Sequence, residues 1–479
     1  MSETPAIKPI VPAYRIQLLE HDQLQQFRSG TFEILEKTGF HCPSEIALNI
    51  YAEHGAMVDF DKQIVRLSPD VILENLAHAP RFYTMGGRTE AFDLDLSKGI
   101  TYEATDGTGT KTVDYVTRKL RSSVKEDVAK SARISDYLSS VSFYWPMVSA
   151  QDFGEIAPLH ELDASFNNTL KHVQTPTIVE RKITQYAIEM AKVITGSEEN
   201  MRKRPPLSLL FCTIAPLAQD AASMESALIA AEAGIPVGFM SMPNTGSTAP
   251  ATIAGTIVQG DAEIVSAMVL IQMAFPGASM YHSFMPGMTH PRTGAYYSHE
   301  SQIYAIGVEL AHAWGVPTLA GTFGMDATTL EWESGMNGGK TSFLCSLCGA
   351  ETGSGMGLLQ GSTLLYPEAL VLDAELYHSV RIAAEKINTS PDFMALDVIH
   401  AVGPRGHFLR EKHTREFLRK LDFSDIMHVS NDAGGYRDPV EMAREKTNWI
   451  LDNHHPEPLS ELQQNELNHI LKTAGNELD

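Results

Sequence analysis

Aromatic side chains close several of the short apolar runs in this chain, and their placement suggests a binding site. The rings in question are Tyr144, Trp145, Phe211, Tyr281 and Phe323, and Tyr102 lies in a further segment, ITYEATDGTGT, with the composition of a loop. Aromatic rings grouped around a cavity bind quaternary ammonium groups, because the ring face is negative and a methylated nitrogen has no hydrogen to donate. Any one ring is more often part of the core, so the prediction depends on all six sharing a cavity.

Charged and polar candidates for the rest of a ligand lie in two segments. In YHSFMPGMTHPRTG, the side chains of His282, His290 and Arg292 suit an anionic group, since an arginine can hold a carboxylate with two hydrogen bonds. In FGMDATTLEWES, Asp326 and Glu331 would add attraction for a cation. Arg292 could instead be a surface charge, and Glu331 could instead cap the helix that follows.

The elements that must position these residues alternate between short apolar runs and longer helical patterns. The runs are residues 142–148, 176–179, 207–214, 237–242, 279–285, 317–323 and 356–359. Such alternation is typical of parallel strands joined by crossover helices. Seven runs approach the eight strands of a (βα)8 barrel, whose active site lies at the C-terminal ends of the strands. The eighth strand is expected from residues 395–402, and an open, doubly wound sheet is the structural alternative.

We therefore predict an α/β chain in three parts. Residues 1–140 form an N-terminal α+β extension, residues 141–405 form a (βα)8 TIM-type barrel, and residues 406–479 form a helical segment packed on the barrel. Within the extension, residues 18–37 have helical spacing and residues 58–67 alternate like a hairpin. The tail after Asn453 is polar, and no fixed structure is predicted for it.

Composition and charge narrow the classes of function. The chain has 479 residues, of which 43% are hydrophobic and 20% charged, as in ordinary globular enzymes. A formal net charge of -22 argues against nucleic acid or an anionic membrane as a partner, because both bind basic surfaces. No unbroken apolar run reaches the roughly 20 residues of a membrane span. The N-terminus, MSETPAIKPIVPAYR, lacks the apolar core of a secretory signal, so we expect a cytoplasmic protein.

Cysteine and glycine patterns indicate neither a zinc site nor a nucleotide site. Cys345 and Cys348 have the spacing of a zinc-ligand pair, but Cys42 and Cys212 are isolated, so a closed four-ligand site is not predicted. The glycine-rich residues 353–357 precede an apolar run, whereas a dinucleotide fingerprint follows a strand and opens a helix.

Several ordered motifs of the chain resemble those of the trimethylamine methyltransferase family. The motifs are CTIAPLA, TGSTAPATIAGTIVQGDAE, QMAFPGASMYHSF and RTGAYYSHES, followed by VLDAE and GHFLREKHT. An ordered series over nearly the whole chain is far more specific than one motif alone. The resemblance implies a (βα)8 barrel, a methyl group passed from a methylated amine to the cobalt of a corrinoid protein, and an oligomeric assembly.

The chain departs from the founding members of that family at one point. Those members carry pyrrolysine in the barrel and demethylate trimethylamine, whereas this sequence has only standard residues, with a single lysine, Lys340, in residues 319–344. It is similar to the members without pyrrolysine, whose assigned representatives act on betaines. When a quaternary ammonium gives up a methyl group, the leaving group is a neutral amine, so no general acid is required. The cofactor carries the difficult chemistry.

The residues and the resemblance together predict a methyl transfer from a quaternary amine to Co(I) of a corrinoid protein. Glycine betaine is the first choice, followed by proline betaine, carnitine and γ-butyrobetaine, and the corrinoid (cobalamin) is carried by the partner and not by this chain. The expected ligand contacts are Tyr102, Tyr144, Trp145, Phe211, Tyr281 and Phe323 around the ammonium, His282 and Arg292 on the carboxylate, and Glu331 as an added charge. Alternatives are a tertiary amine or sulfonium donor, or a catalytically silent betaine-binding protein.

Overall fold

The computed structural model describes residues 6–298, 300–323, 327–421 and 424–478. Its centre is a closed barrel of eight parallel strands. In chain order, β1 to β8 are Tyr102–Thr105, Phe143–Tyr144, His172–Thr175, Leu207–Cys212, Val237–Ser241, Met280–Phe284, Thr318–Gly321 and Thr352–Met356. Each strand pairs with the next, and β8 pairs with β1 to close the barrel. The predicted (βα)8 barrel is confirmed, and the open sheet is excluded.

One long helix follows each strand and returns the chain to the start of the next. In chain order, α1 to α8 are Lys125–Tyr137, Ala157–Asn168, Arg181–Thr195, Ala221–Glu232, Ile253–Ala274, Ser301–Ala313, Trp332–Cys348 and Ala369–Ala384. The amphipathic α3 is typical, because Ile183, Ala187 and Ile194 form a buried stripe toward the sheet. It ends at Gly196, whose φ of 76° suits a residue without a Cβ.

Three of the predicted strands lie elsewhere in the chain. The third strand is His172–Thr175 and not residues 176–179, and the last is Thr352–Met356, where residues 356–359 were expected. The predicted strand at 395–402 is wrong, because Leu396–Val402 is a helix. Its place is taken by Tyr102–Thr105, a segment that we expected to be a loop. The boundary predicted at residue 140 therefore lies inside the barrel, between α1 and β2.

These three strands escaped prediction because they are polar. β1 carries Glu103, β3 reads HVQT and β8 reads TGSGM, so none forms an apolar run. The Glu103 carboxylate lies on the outer face of the barrel, where it accepts hydrogen bonds from Thr322 Oγ1 at 2.9 Å and Ser342 Oγ at 3.4 Å. Burial raises the pKa of Glu103 to about 8.

The N-terminal part of the chain covers one side of the barrel. Its helices are His21–Glu33, continued by the π-helical turn Ile34–Thr38, then Glu45–Glu53 and Pro69–Leu76, and a small antiparallel sheet joins Phe40–His41, Met57–Asp59 and Ile64–Arg66. The helix and the hairpin predicted here are confirmed. The helices pack on α5, where the Tyr51 hydroxyl donates to Ser266 O at 2.8 Å.

Because α5 is covered by the barrel on one side and by these helices on the other, it is apolar on nearly every face. Among the described residues it is the one helix long and apolar enough to cross a membrane, and most of it is buried inside the protein. Its composition is explained by this double burial.

Two groups of short elements close the ends of the barrel. The N-terminal end is filled by the strands Thr84–Met85 and Leu94–Asp95 with the turns Glu90–Phe92 and Leu96–Lys98. The mouth at the C-terminal end is shaped by two small sheets, one of Asn244–Thr245, Gly287–Thr289 and Tyr296–Ser298, the other of Lys111–Val113, Leu120–Ser122, Leu358–Leu359 and Leu364–Leu365. A 3₁₀ helix at Gln151–Ile156 precedes α2, and a short α-helix at Glu198–Lys203 precedes β4.

The C-terminal segment divides into a packed part and a projecting part. Pro439–Asn453 packs on α1 and α8, and Glu461–Leu478 packs on α3, although no fixed structure was predicted for this tail. By contrast, residues 386–421 have no buried side chain, so the predicted packing on the barrel fails for residues 406–421. Their short helices are Pro391–Met394, Leu396–Val402 and Lys412–Leu418, with a turn at Phe408–Arg410.

Candidate active site at the barrel mouth

Alternation along β2 decides which of its side chains face the interior of the barrel. The Tyr144 hydroxyl lies 2.8 Å from Ser131 Oγ on α1, so Tyr144 points outward into the helical layer. Successive side chains of a strand point to opposite faces, and Phe143 and Trp145 therefore point inward. Trp145 directly follows the last residue of β2 and lies at the mouth.

The backbone of Trp145 is locked to β1. Thr105 Oγ1 accepts a hydrogen bond from Trp145 N at 2.8 Å and donates one to Trp145 O at 2.7 Å. The indole packs against Gly107, where any Cβ would collide with the ring. Trp145 is only 3% exposed, and no described residue accepts a hydrogen bond from its Nε1.

A second buried donor lies on the neighbouring strand. Val173 of β3 pairs with Tyr144 of β2, so Gln174 occupies the position beside Trp145, and it shares the inward face. Gln174 is 1% exposed, and its Nε2 has no acceptor in the described part of the chain. In the loop after β1, Thr108 Oγ1 is likewise buried without a described partner.

A buried donor without a partner costs about 1–3 kcal/mol unless a ligand or a water supplies the acceptor. Trp145 Nε1 and Gln174 Nε2, here called the donor pair, belong to side chains on the inward face of adjacent strands. Two neighbouring N–H donors match the two oxygens of a carboxylate. Neutral donors of this kind could bind an anion.

Two buried carboxyl groups lie at the C-terminal end of the barrel, beside the ends of β1 and β8. Asp106 follows β1 directly and accepts hydrogen bonds from Gly107 N at 2.9 Å and Ser362 Oγ at 2.6 Å. Burial raises the pKa of Asp106 to about 6. Asp373 of α8 accepts from Gly357 N at 2.7 Å, and burial raises its pKa to about 7. Ionised Asp106 would attract a cation at the mouth.

Two of the predicted cage residues face the interior but lie below the mouth. The Tyr102 hydroxyl donates to Asp95 O at 3.4 Å, at the filled N-terminal end of the barrel. The Tyr281 hydroxyl donates to Leu209 O at 3.2 Å, and its ring covers Gly238. Both rings belong to the packed layers of the barrel core.

Three other predicted rings point away from the interior. Tyr144 is bonded to α1, and Phe211 packs in the outer core between the barrel and its helices. Phe323, with a φ of 58°, packs against α7 at Gly338. The six rings therefore do not share one cavity, because strand alternation sends neighbours to opposite faces. Only Trp145 among them lies at the mouth.

The predicted carboxylate-binding residues are also displaced from the mouth. His282 Nε2 lies 3.1 Å from Asp261 Oδ1 on α5, so the imidazole is buried on the outer face of β6. Its Nδ1 has no described partner, but β6 and α5 enclose it. Arg292 is exposed in a turn between two strands of the rim, Glu331 is exposed at the start of α7, and Asp326 lies outside the described residues.

The residues that the structure describes offer no candidate set of metal ligands, and the single lysine of residues 319–344 is partly exposed. No group of three or more His, Cys, Asp or Glu side chains there is placed to hold a metal ion. Lys340 lies on α7, is 40% exposed and pairs with Glu300 Oε2 at 3.0 Å. A cavity of about 410 Å³, lined in part by Tyr377, Arg381 and Lys446, lies near the opposite end of the barrel.

Two residues of the site were missed by the sequence reasoning. Asp106 had a detectable signal, because it is an acid directly before a glycine pair in a segment suspected of facing a site. Gln174 had none, because β3 contains no apolar run and was placed four residues too late.

The family described as trimethylamine methyltransferase (MTTB) matches residues 2–478. The chain belongs to the trimethylamine methyltransferase family. It is 30% identical over 453 residues to the trimethylamine methyltransferase MttB of Desulfitobacterium hafniense. The aligned residues cover 92% of this chain and 90% of that protein. A glycine betaine methyltransferase of the same species is 26% identical over 413 residues, with 85% of each chain covered.

Solved structures support the fold of this trimethylamine methyltransferase family member. The crystal structure of the Methanosarcina barkeri monomethylamine methyltransferase (MtmB) superposes with a TM-score of 0.54 at 12% identity, covering 93% of this chain and 90% of that one. At this identity the likeness shows a shared barrel architecture. The resemblance found in the motifs is confirmed, and the chain is a methyltransferase.

Proposed function

We propose that this methyltransferase moves a methyl group from a betaine, most favourably glycine betaine, to Co(I) of a corrinoid protein. Proline betaine, carnitine and γ-butyrobetaine are the further candidates. The observation that carries the substrate class is the donor pair, since a betaine has a carboxylate that trimethylamine lacks. The glycine betaine methyltransferase among the relatives supports the same choice.

The donor pair and Asp106 match the two ends of a betaine. Trp145 Nε1 and Gln174 Nε2 would each donate to a carboxylate oxygen, and a hydrogen bond to a charged group is worth about 1.5–3 kcal/mol. Asp106 precedes Gly107 in the loop after β1, and Thr108 follows it. The Asp106 carboxylate would face the ammonium. The substrate would then lie with one methyl group toward the mouth.

The reaction needs orientation more than acid or base groups. The carbon–nitrogen bond breaks with its electron pair remaining on nitrogen, the amine leaves uncharged, and the methyl group bonds to the cobalt of the acceptor. Positive charge on nitrogen falls during this step, so a carboxylate beside the ammonium stabilises substrate more than transition state. Contacts with the carboxylate of the substrate, which is remote from the breaking bond, are the better source of binding energy. They can align the methyl group with its acceptor, and such alignment is worth about 7–11 kcal/mol in favourable cases.

An apolar rim around the mouth suits a protein acceptor. Exposed apolar residues follow β4, β5, β6 and β7, namely Ile214, Met242, Met288, Tyr297, Trp332 and Met336. Trp332 is 74% exposed. Exposed patches of this kind mark protein interaction sites, where Trp, Tyr and Met are enriched. We infer that the corrinoid protein covers this rim and itself holds the corrinoid.

The test is a methyl-transfer assay with purified components. This protein is mixed with a reduced corrinoid protein and a panel of betaines, tertiary amines and sulfonium compounds, and the corrinoid absorbance is followed. A betaine is expected to convert the Co(I) spectrum into that of the methylated corrinoid. Transfer only from a tertiary amine or a sulfonium would replace the proposed donor, and calorimetric betaine binding without any transfer would indicate a silent binding protein.

A further inference from the structure

The residues assigned to the active site are almost completely closed off from solvent. Trp145, Gln174 and Asp106 are 3%, 1% and 4% exposed. Side chains that barely contact water cannot be reached by a corrinoid, which is far larger, so a methyl group held among them is covered as well. Part of the rim must therefore move during the reaction, as lids and loops do in many enzymes.

Residues 287–298, here called the rim hairpin, form two antiparallel strands after β6. Met288 pairs with Tyr297, and both side chains are exposed on a face that belongs to the apolar rim. Successive side chains of a strand alternate, so Tyr296 points to the opposite face. There its ring lies over Gly287, where a Cβ would collide with Tyr296 Cε2 at 2.2 Å. The rim hairpin thus has one face that suits a protein partner and another that carries the Tyr296 ring.

The other edge of the Tyr296 ring reaches the loop that follows β8. A Cβ on Gly361 would lie 4.0 Å from Tyr296 Cδ1, which is an ordinary van der Waals distance. In the barrel β7 lies between β6 and β8, so this contact spans one strand and joins the two small sheets that shape the mouth. Because Gly361 has no side chain, the ring can approach its backbone closely.

Gly361 is the centre of a turn with an unusual backbone, here called the left-handed turn. Gln360, Gly361 and Ser362 have φ values of 58°, 64° and 61°, so three consecutive residues are left-handed. For residues with a Cβ this conformation is costly, and it persists where surrounding contacts impose it. Here Gln360 N donates to Ala327 O at 2.8 Å, and Thr363 Oγ1 donates to Gln360 O at 2.8 Å. Strained turns of this kind are concentrated at ligand sites and switches.

One bond of the left-handed turn leads directly to the active site. The Ser362 hydroxyl donates to Asp106 Oδ2 at 2.6 Å, and Asp106 is the group assigned to the ammonium. Asp106 thus holds Ser362, and Tyr296 rests on the residue beside it. An ammonium ion next to Asp106 favours the ionised carboxylate, which accepts a stronger hydrogen bond than a carboxylic acid. Occupation of the site should therefore tighten the turn on which Tyr296 rests.

We propose that Tyr296 gates the active site and that Ser362 is the positioning residue that couples this gate to the substrate. With a betaine bound, the hydrogen bond from Ser362 to Asp106 holds the left-handed turn, and Tyr296 stays against Gly361. Separation of Tyr296 from Gly361 opens the mouth to the substrate and to the acceptor, which would dock on the other face of the same hairpin. The coupling rests on the proposed function, because it needs a ligand with a cationic group beside Asp106.

The first test applies trypsin to the full-length protein without ligand. Arg292 is exposed in the turn of the rim hairpin, and the rate of cleavage after it, followed by mass spectrometry, reports how often the hairpin leaves its place. Asparagine tolerates a positive φ, but in Gly361→Asn its side chain would extend into the Tyr296 ring. Cleavage should then be about fivefold faster or more, and Tyr296→Ala should have the same effect. Unchanged cleavage in both variants would overturn the gate.

The matched control is Gly196→Asn, which makes the same change where the new side chain has room. Gly196 has a φ of 76°, and among the described residues nothing lies within 4 Å of a Cβ there, so cleavage after Arg292 should keep the wild-type rate. Cleavage after Arg405, which is exposed in the projecting part of the C-terminal segment, is the internal reference. Equal acceleration by the two asparagine substitutions would indicate a general loss of stability and would also overturn the gate.

The second test repeats the digestion with glycine betaine at a saturating concentration, which calorimetry fixes for each variant. Betaine should slow cleavage after Arg292 in the wild type by about fivefold or more. Ser362→Ala removes the bond to Asp106, so betaine should still bind to this variant but should no longer slow cleavage. A serine with only a structural role would change the cleavage rate equally with and without betaine.

The control for this substitution is Ser334→Ala, which removes a hydroxyl bonded to Glu331 O in the first turn of α7 and should keep the protection by betaine. Protection retained in Ser362→Ala would overturn the coupling. Absence of betaine binding to the wild type in calorimetry would count against the proposed function and the coupling, whereas the digestion without ligand would still decide whether Tyr296 closes the mouth.

Discussion

Two halves of the barrel use buried polar groups in opposite ways. The apolar arc, strands β4 to β7, has two buried carboxylates on its outer side, both on α5, and both oxygens of each carboxylate accept hydrogen bonds. There the Asp261 carboxylate accepts from Thr31 Oγ1 at 2.6 Å and from Trp314 Nε1 at 3.0 Å, with His282 Nε2 at 3.1 Å. The polar arc, strands β8 and β1 to β3, also buries Glu103 on its outer side, but it turns Gln174 inward and leaves the donor pair without a described acceptor.

A second carboxylate on α5 shows the same pattern in the apolar arc. Glu263 accepts from Thr213 Oγ1 at 2.9 Å, Ser241 Oγ at 2.6 Å, Leu217 N at 2.9 Å and Gln259 Nε2 at 3.1 Å. A buried polar network with every bond made stabilises one arrangement of the fold, whereas an open donor lowers stability until a ligand supplies the acceptor. The difference separates structural polar residues from binding ones.

The largest expected effect is on stability and comes from the apolar arc. Asp261→Ala removes the acceptor shared by Thr31, Trp314 and His282, so it should lower the free energy of unfolding by about 3–5 kcal/mol. Chemical denaturation measures the change, and Asp261→Asn should lose less because it keeps one acceptor oxygen. An unchanged denaturation midpoint in the alanine variant would show that the network is not structural.

The next effect is on substrate affinity and comes from the polar arc. Trp145→Phe and Gln174→Met each remove one donor to the carboxylate, so KM for the betaine should rise by about ten- to hundredfold. Gln174→Met should not lower the melting temperature, because the Gln174 Nε2 donor has no partner to lose among the described residues. Unchanged KM values in both variants would exclude the donor pair from the site.

The matched control for Trp145→Phe makes the same change at a tryptophan of the apolar arc. Trp314 Nε1 is already bonded to Asp261, so Trp314→Phe should lower stability and leave KM unchanged. Tetramethylammonium, which has no carboxylate, should bind equally to the wild type and to Gln174→Met. If Trp314→Phe raised KM more than Trp145→Phe does, the distinction between the two arcs would be wrong.

A smaller effect is expected on pH dependence through Asp106. Its pKa is raised to about 6 by burial, so a bound cation favours the ionised form and affinity should fall as pH drops below about 6. Asp106→Asn should remove this dependence, and Glu103→Gln, which alters a buried acid on the outer face, should keep it. The measurement is KM against pH, and a variant with the wild-type profile would argue against contact with the ammonium.

The raised pKa of Asp106 also affects folding stability. Affinity for a cation should rise with pH, whereas stability should fall. Folded Asp106 holds a proton that the unfolded chain has lost, so its contribution is complete below the ordinary aspartate pKa of about 3.9. That contribution is lost as pH rises through about 6. Asp106→Asn should therefore gain stability relative to wild type at neutral pH.

The smallest effect is expected at Arg292. This side chain is exposed in a turn of the rim on the apolar arc, so Arg292→Ala should change KM for a betaine by less than about twofold, as for an ordinary surface charge. A rise in KM as large as that expected for Gln174→Met would instead place the substrate carboxylate beside Arg292, as first predicted from the sequence.

The parts of the fold that could be predicted were those with apolar periodicity. The strands of the apolar arc and β2 lie within the predicted runs, because both faces of their backbone pack against apolar neighbours. β1 and β3 could not be found in this way, because Glu103 and Gln174 interrupt any apolar pattern. Gln174 lies on a strand without a sequence signal and Asp106 follows another, whereas Trp145 follows β2, which was predicted.

By itself the sequence determined the family, the barrel class and the absence of pyrrolysine, because ordered motifs, the repeating βα rhythm and residue identity are local properties. Only the tertiary structure decided which face of each strand meets the interior. A shift of one residue along a strand reverses the direction of every side chain, so His282 and Tyr144 were assigned to a site from which their strands turn them away. The partners of buried polar atoms come from distant segments, and the donor pair becomes visible only when those segments are in place.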